Sequence, residues 1–388
     1  MQSPFAFYRG AAAIMASDLA HTPSSGIRAQ ACGDCHLMNF GGFGTPERRI
    51  NFDINDFDET LPAPWEWDLK RLAASFVIAG RNNGFKEVAS HEAARRCVQS
   101  YREHMHGYAE IGPLEMWYQR LDNMVALIKR RKWKKIVQRQ IDKASLRTVV
   151  EDDFPKLATI KNGKVRIKDN PPLIFHQAEE EGAEFDRLVR EAFRCYRETL
   201  PDDLKTLVDR YEVKDVAIKV VGVGSVGTRC AILLMMTGDG DPLFLQVKEV
   251  HESVLEPYAG KSLYSNRGQR VVAGQRVMQA ASDMFLGWTE QWGRHFYVRQ
   301  LRDIKIEPLV EIFDSRALVD YGEWCGWALA RAHAKSGDAA IISGYLGNSS
   351  RFDDAVSNFA IAYADQNERD YQALLEAIRA GKIEVLQK

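Results

Sequence analysis

Residues 215–250 constrain the fold more than any other stretch of the chain. Val216-Ala217-Ile218-Lys219-Val220-Val221 reads as a strand and runs directly into Gly222-Val223-Gly224-Ser225-Val226-Gly227. A Gly-x-Gly-x-x-Gly loop occurs in two settings. In a dinucleotide-binding fold it leads from a strand into a helix, with an acid about 20 residues on. In the other setting it joins two antiparallel strands. Here the run after Gly227 stops at Met236, and Gly238-Asp239-Gly240-Asp241 turns the chain back. That is too short for a crossover helix. Leu243-Phe244-Leu245-Gln246-Val247-Lys248 then alternates as a third strand. The segment predicts antiparallel hairpins that end on a lysine.

The rest of the chain supplies mainly helices. Residues 4–20 suggest a short amphipathic helix, and residues 66–83 place Leu69, Leu72, Ala73 and Phe76 on one helical face. Helical patterns dominate from 86 to 145 and recur at 177–197, at 267–283 and from 316 onward. Asn162-Gly163 between apolar runs predicts a hairpin over 155–168. His295 to Arg299 reads as a strand. A chain of 388 residues with 45% apolar and 27% charged residues can bury two or three sizeable cores. The net charge of −1 gives no global attraction to nucleic acid or an acidic membrane. The basic run Lys129 to Lys135 is expected to be a solvated helix face. No apolar run is long enough to span a membrane, and no basic segment precedes an apolar one at the start, so a cytoplasmic protein is expected. The dispersed cysteines 32, 35, 97, 195, 230 and 325 suit reduced thiols.

The chemistry is concentrated between residues 34 and 68, where Asp34, Asp53, Asp56, Asp58, Glu59, Glu66 and Asp68 gather with Asn39 and Asn55. Aspartate and asparagine also fill turns, so one such residue says little. Three elements in order say more: Gly33-Asp34-x-His36-x-x-Asn39, then Asp56-Phe57-Asp58, then Pro64-Trp65-Glu66-Trp67-Asp68-Leu69. Phosphoryl transfer needs a carboxylate to orient the attacking hydroxyl and hard oxygen ligands to hold Mg²⁺ against the phosphates. Asp34 is the candidate orienter or base. Asn39, Asp56 and Asp58 are the candidate metal ligands. Arg9, in an otherwise apolar helix, is a candidate partner for one of these acids. Cys32-Gly33-Asp34-Cys35 fits Cys-x-x-Cys, but no second cysteine pair stands at ligand spacing.

The glycine loop completes such a site. Backbone N–H groups of Gly222, Gly224, Ser225 and Gly227 can approach phosphates closely, and Lys248 can reach back to them. Lys248 needs an acidic partner, for which Glu256 is the expectation. The strand at 295–301, through Gln300, is expected to offer backbone groups to adenine.

These residues resemble the catalytic loop and metal-binding segment of the aminoglycoside and choline phosphotransferases, within the protein-kinase-like superfamily. The resemblance implies that Asp68 braces the catalytic loop. Ala328-Leu329-Ala330-Arg331-Ala332-His333 resembles the helix that precedes that loop. Over nearly its whole length the chain also resembles a bacterial family known as domain of unknown function 2252. Ser3-Pro4-Phe5-Ala6-Phe7-Tyr8-Arg9-Gly10, Asn55-Asp56-Phe57-Asp58-Glu59-Thr60 and Gly222 to Arg229 carry that resemblance.

In ordinary kinases the glycine loop comes first; here the catalytic loop does. A circularly permuted, two-lobed α+β fold of protein-kinase-like type is the expectation. Residues 1–205 would form the helical catalytic lobe, 206–305 an antiparallel sheet lobe, and 306–388 helices returning to the first lobe. The function expected is ATP·Mg-dependent phosphotransfer to a small-molecule hydroxyl. A kinase-like AMP transferase and a non-catalytic nucleotide-binding module are the alternatives.

Overall fold

The computed structural model describes residues 3–122, 128, 130–145, 154–161, 164–176, 179–220, 227–301 and 304–383. The protein is mixed α+β, with helices and several antiparallel sheets. It forms two compact units. One comprises Met1–Phe40, Pro62–Gln119 and Pro308–Lys388; the other comprises Gly41–Leu61 and Arg120–Glu307. Residues 41–61 and 120–205, expected with the helical catalytic lobe, group with the sheet in this division.

The sheet unit is built on the predicted hairpins. Among the described residues, strands Gly287–Gln291, Arg294–Gln300, Pro242–Val250, Cys230–Met236, Glu212–Lys219 and Ile174–Phe175 lie side by side in that order. Their pairings are antiparallel. Strand Cys230–Met236 is buried at every position. Side chains alternate across a sheet, so one strand feeds two cores. Ala231, Leu233 and Met235 join Leu243, Leu245, Val298 and Tyr196 on one face. Ile232, Leu234 and Met236 join Phe244, Leu157 and Ile167 on the other. This two-sided burial explains the continuous apolar run in the sequence. The second face is covered by the antiparallel strands Ala158–Lys161 and Lys164–Ile167; Asn162 and Gly163, expected to turn between them, lie outside the described residues.

Helix Arg267–Met278 follows the lysine strand and packs closely on strand Arg294–Gln300. A Cβ at Gly268 would sit 2.1 Å from the Phe296 carbonyl oxygen, so only glycine permits this approach. The helix ends at Met278, short of the expected 283, where Gln279 takes an extended backbone and its side-chain amide donates to the Ile54 carbonyl at 2.7 Å.

In the helical unit the expected 4–20 helix is two helices, Pro4–Arg9 and Ala12–Ala20. Ser3 caps the first, its hydroxyl accepting from the Ala6 N–H at 3.1 Å. Gly10 ends it, consistent with the roughly 1 kcal/mol cost of glycine inside a helix. Helix Trp65–Asn82 is buried on nearly every side, which gives its Trp-Glu-Trp-Asp start access to several neighbours at once. Trp65 stacks on Tyr101 of helix Glu87–Ala109, with ring centroids 5.5 Å apart and planes 7° from parallel. Arg102 of that helix grips the fully buried Asp353 through Nε at 2.9 Å and Nη2 at 2.8 Å. Helix Ser315–Ser336 carries the Ala328–His333 segment. Among the described residues no helix is long and apolar enough to cross a membrane.

Candidate active site

The loop Gly33–Asn39 is held on all sides within the helical unit. Gly33 has φ +83°, a left-handed conformation that L side chains rarely adopt. The Asp68 carboxylate accepts from the Cys32 N–H at 2.7 Å and from the Gly33 N–H at 3.1 Å. Asp68 thus braces the loop, the place the resemblance implied for it. His333 Nε2 lies 3.4 Å from the same carboxylate, and its Nδ1 is 2.9 Å from the Tyr101 hydroxyl. The Ser75 hydroxyl accepts from the Leu37 N–H at 3.0 Å, and the Tyr321 hydroxyl donates to the Leu37 and Phe40 carbonyls.

Asp34 is held by an arginine that the sequence reading missed. Arg71 donates from Nε at 2.8 Å and Nη2 at 2.5 Å to Asp34 Oδ1. Burial opposes the Arg71 cation, but Asp34 and Tyr8 beside it outweigh burial and hold its pKa above the ordinary value. Tyr8 fixes Arg71 from the other side, donating to the Arg71 carbonyl at 2.7 Å with its ring 4.5 Å from the guanidinium carbon. The signal was present in the sequence: Asp68 and Arg71 stand three apart on one helix face, so both reach the same loop. Arg9 instead lies 5.9 Å from the Phe5 ring centroid. Arg71 engages Oδ1, while His36 Nε2 stands 3.7 Å from Asp34 Oδ2. Asn39 donates through Nδ2 to the Asp34 carbonyl at 2.8 Å, which directs its amide oxygen away from that contact.

The Asp56-Phe57-Asp58 segment belongs to the sheet unit. Asp56 Oδ1 accepts from the Asp58 N–H at 3.1 Å. Arg270, almost fully buried, donates to the Thr60 carbonyl at 2.7 Å, the Asp58 carbonyl at 2.8 Å and the His251 carbonyl at 3.0 Å. It ties the acidic segment to the end of the lysine strand. Glu59 is anchored too, its carboxylate accepting from the Val254 N–H at 2.7 Å.

Lys248, 5% exposed, forms an ion pair with Asp58. Burial disfavours the ammonium, but Tyr297 and the Asp56 and Asp58 carboxylates beside it outweigh that and raise its pKa. Burial, then the neighbouring Asp56 charge, pushes the Asp58 carboxyl up, against the pull of Lys248. Asp58 Oδ1 is buried with no hydrogen-bond partner. An orphaned carboxylate oxygen beside a second carboxylate suits a hard divalent cation. Asp58, not Glu256, is therefore the acidic partner of Lys248. Glu256 turns to its own loop, where Oε1 lies 3.4 Å from the Ser253 N–H.

Two other expectations fare differently. The Gln300 N–H already donates to Asp283 Oδ2 at 2.5 Å, so that donor is committed within the fold and is not presented to a base. Gly222, Gly224 and Ser225 lie outside the described residues, while Gly227 is exposed with φ +89°. Cys32, Cys35 and Asp68 offer ligand atoms within 4.8 Å of one another. Yet both Asp68 oxygens already accept N–H groups, and burial pushes the Cys35 thiol up to about 12 and raises Cys32 as well. Packed thiols account for the motif.

Comparison with known proteins bears on the family. The bacterial family described as "Uncharacterized protein conserved in bacteria (DUF2252)" matches residues 1–377. The chain belongs to that family. Among the DUF2252 landmarks, the Asn55–Thr60 segment is the one that Arg270 and Lys248 hold in place. No curated protein and no solved structure matches this DUF2252 chain.

Proposed function

We propose that this protein is an ATP·Mg-dependent phosphotransferase of kinase-like type, acting on a small-molecule hydroxyl. The observation that carries the reading is the buried Lys248–Asp58 pair on a central strand of an antiparallel sheet, with Asp58 Oδ1 left without a partner. Strands Glu212–Lys219 and Cys230–Met236 are antiparallel neighbours on either side of the glycine-rich segment, and the lysine strand comes next. That arrangement suits a kinase glycine loop and rules against a strand–loop–helix dinucleotide site. The order of these parts along the chain is what makes the proposed fold a circular permutation.

Each residue takes a role that its surroundings favour. Asp56 and Asp58 would hold Mg²⁺, which would neutralise phosphate charge. Lys248, already desolvated, exchanges Asp58 for a phosphate oxygen. Asp34, fixed by Arg71, accepts the hydrogen bond of the acceptor hydroxyl through Oδ2 and orients it. Preorganised charge of this kind supplies most of the rate enhancement in many enzymes.

The test combines binding and labelling. Mg·ATP at about 100 times its Kd should stabilise the protein by about 2.7 kcal/mol, read as a raised melting temperature. Lys248→Met should abolish that rise. Incubation with γ- or α-labelled ATP over a metabolite extract then identifies the transferred group. No melting shift at millimolar nucleotide would sink the reading. Transfer of α-label would replace phosphotransfer by AMP transfer, and binding without any transfer would leave a regulatory module.

A further inference from the structure

We infer that Arg299 is a second phosphate-binding cation, which together with Lys248 makes the nucleotide site selective for polyphosphates. The inference rests on the phosphotransferase reading above. It begins with the register of two strands. Strand Arg294–Gln300 pairs antiparallel with Pro242–Val250, placing Tyr297 opposite Lys248 and Arg299 opposite Gln246. Residues directly opposite share a sheet face, as do residues two apart on one strand. Lys248 and Arg299 are therefore diagonal neighbours on one face, about 7–8 Å apart at that spacing.

The contacts of Arg299 set it apart from other arginines in the protein. Arg270 spends its guanidinium on three backbone carbonyls, and Arg102 closes a bidentate pair with Asp353. Arg299 donates through Nε to Gln246 Oε1 at 3.0 Å, and its guanidinium carbon lies 5.7 Å from the Tyr297 ring centroid. Those contacts aim the side chain. Among the described residues, neither Nη group of Arg299 has a protein acceptor, and no carboxylate stands at ion-pair distance from it.

Lys248 forms an ion pair with Asp58, whereas Arg299, a partly buried cation, makes no ion pair among the described residues, the Asp56, Asp58 and Asp283 carboxylates favouring its charge from farther off. With its Nη groups uncommitted among the described residues, its planar fork of donors matches a phosphate in two-point fashion. Two cations at diagonal positions can hold a di- or triphosphate at two places and a monophosphate at one. Arg299 thus accounts for recognition that a single lysine does not supply.

Calorimetric titration of the full chain tests this with Mg·ATP, Mg·ADP, AMP and inorganic tripolyphosphate with Mg²⁺, for the wild type, Arg299→Gln and Arg299→Lys. A charge-assisted hydrogen bond of ordinary strength predicts that Arg299→Gln weakens ATP and tripolyphosphate binding about tenfold or more. AMP binding should change by less than about threefold on the same reasoning, since Lys248 alone can hold one phosphate. Arg299→Lys, which keeps the charge without the fork, should fall between. Unchanged ATP affinity in Arg299→Gln overturns the inference and leaves the proposed function standing. Equal losses for ATP and AMP also overturn it, because they indicate a structural role. A wild type that binds none of these ligands removes the proposed function itself, and the inference with it.

Discussion

Replacing Lys248 by methionine tests the energetics on which the site depends. Methionine keeps an unbranched chain but removes the ammonium, leaving Asp58 without its partner. Breaking a buried ion pair from one side costs about 3–5 kcal/mol. The Asp58 side chain is 22% exposed and that of Lys248 6%, so partial solvation of Asp58 reduces the expected loss at pH 8 to about 2–3 kcal/mol. The loss must also depend on pH. The folded pKa of Asp58 already lies above its ordinary value, through burial and Asp56. Such a group contributes stability below its unfolded pKa and loses that contribution as pH rises through its folded pKa. Without Lys248 the folded pKa rises further, by about 1.4 kcal/mol of relief on protonation per unit. At pH 5 more of the variant carboxyl is protonated than at pH 8, so the loss should be smaller at pH 5. Urea unfolding followed by tryptophan fluorescence at both pH values measures this. The Asp58→Asn/Lys248→Met double variant should recover much of the loss, because neither buried charge remains. A loss below about 0.5 kcal/mol, or one equal at pH 5 and pH 8, would refute the reasoning.

Two further outcomes concern packing and thiols. Gly268→Ala should destabilise the protein by about 1–3 kcal/mol in urea unfolding, because the new Cβ meets the Phe296 carbonyl at 2.1 Å and both partners are backbone-held. In a thiol titration with an aromatic disulfide, Cys195 should react first, since the other cysteines are buried and burial raises the pKa of Cys32, Cys35, Cys97, Cys230 and Cys325. Rapid native labelling of Cys32 or Cys35 would contradict the packing of the Gly33–Asn39 loop.

The hairpins around Lys248 were legible in the sequence because period-2 alternation and the Gly-Asp-Gly-Asp turn are local signals. The bracing of the Gly33–Asn39 loop by Asp68 was legible through the family resemblance. The partner of Lys248 was not. Asp58 lies 190 positions away, and no local rule links a strand lysine to a loop so distant. Glu256 looked suitable only because it was near in sequence. Arg71 could have been found from its helical spacing to Asp68. Arg270 could not, since its three acceptors are backbone carbonyls, which every residue carries. The break at Gly10 was a propensity signal overlooked within an apolar run.

The division of the chain into interrupted units has a consequence for its synthesis. The sheet unit draws its last residue from position 307, whereas the helical unit needs Pro308–Lys388 to join segments made before the sheet. On the ribosome the sheet can close while Met1–Phe40 and Pro62–Gln119 still lack their C-terminal helices. During that interval Asp68, Arg71 and Asp34 are present without the helix that carries His333 and Tyr321. Removing Pro308–Lys388 should therefore damage first the Gly33–Asn39 loop, which is synthesised long before them.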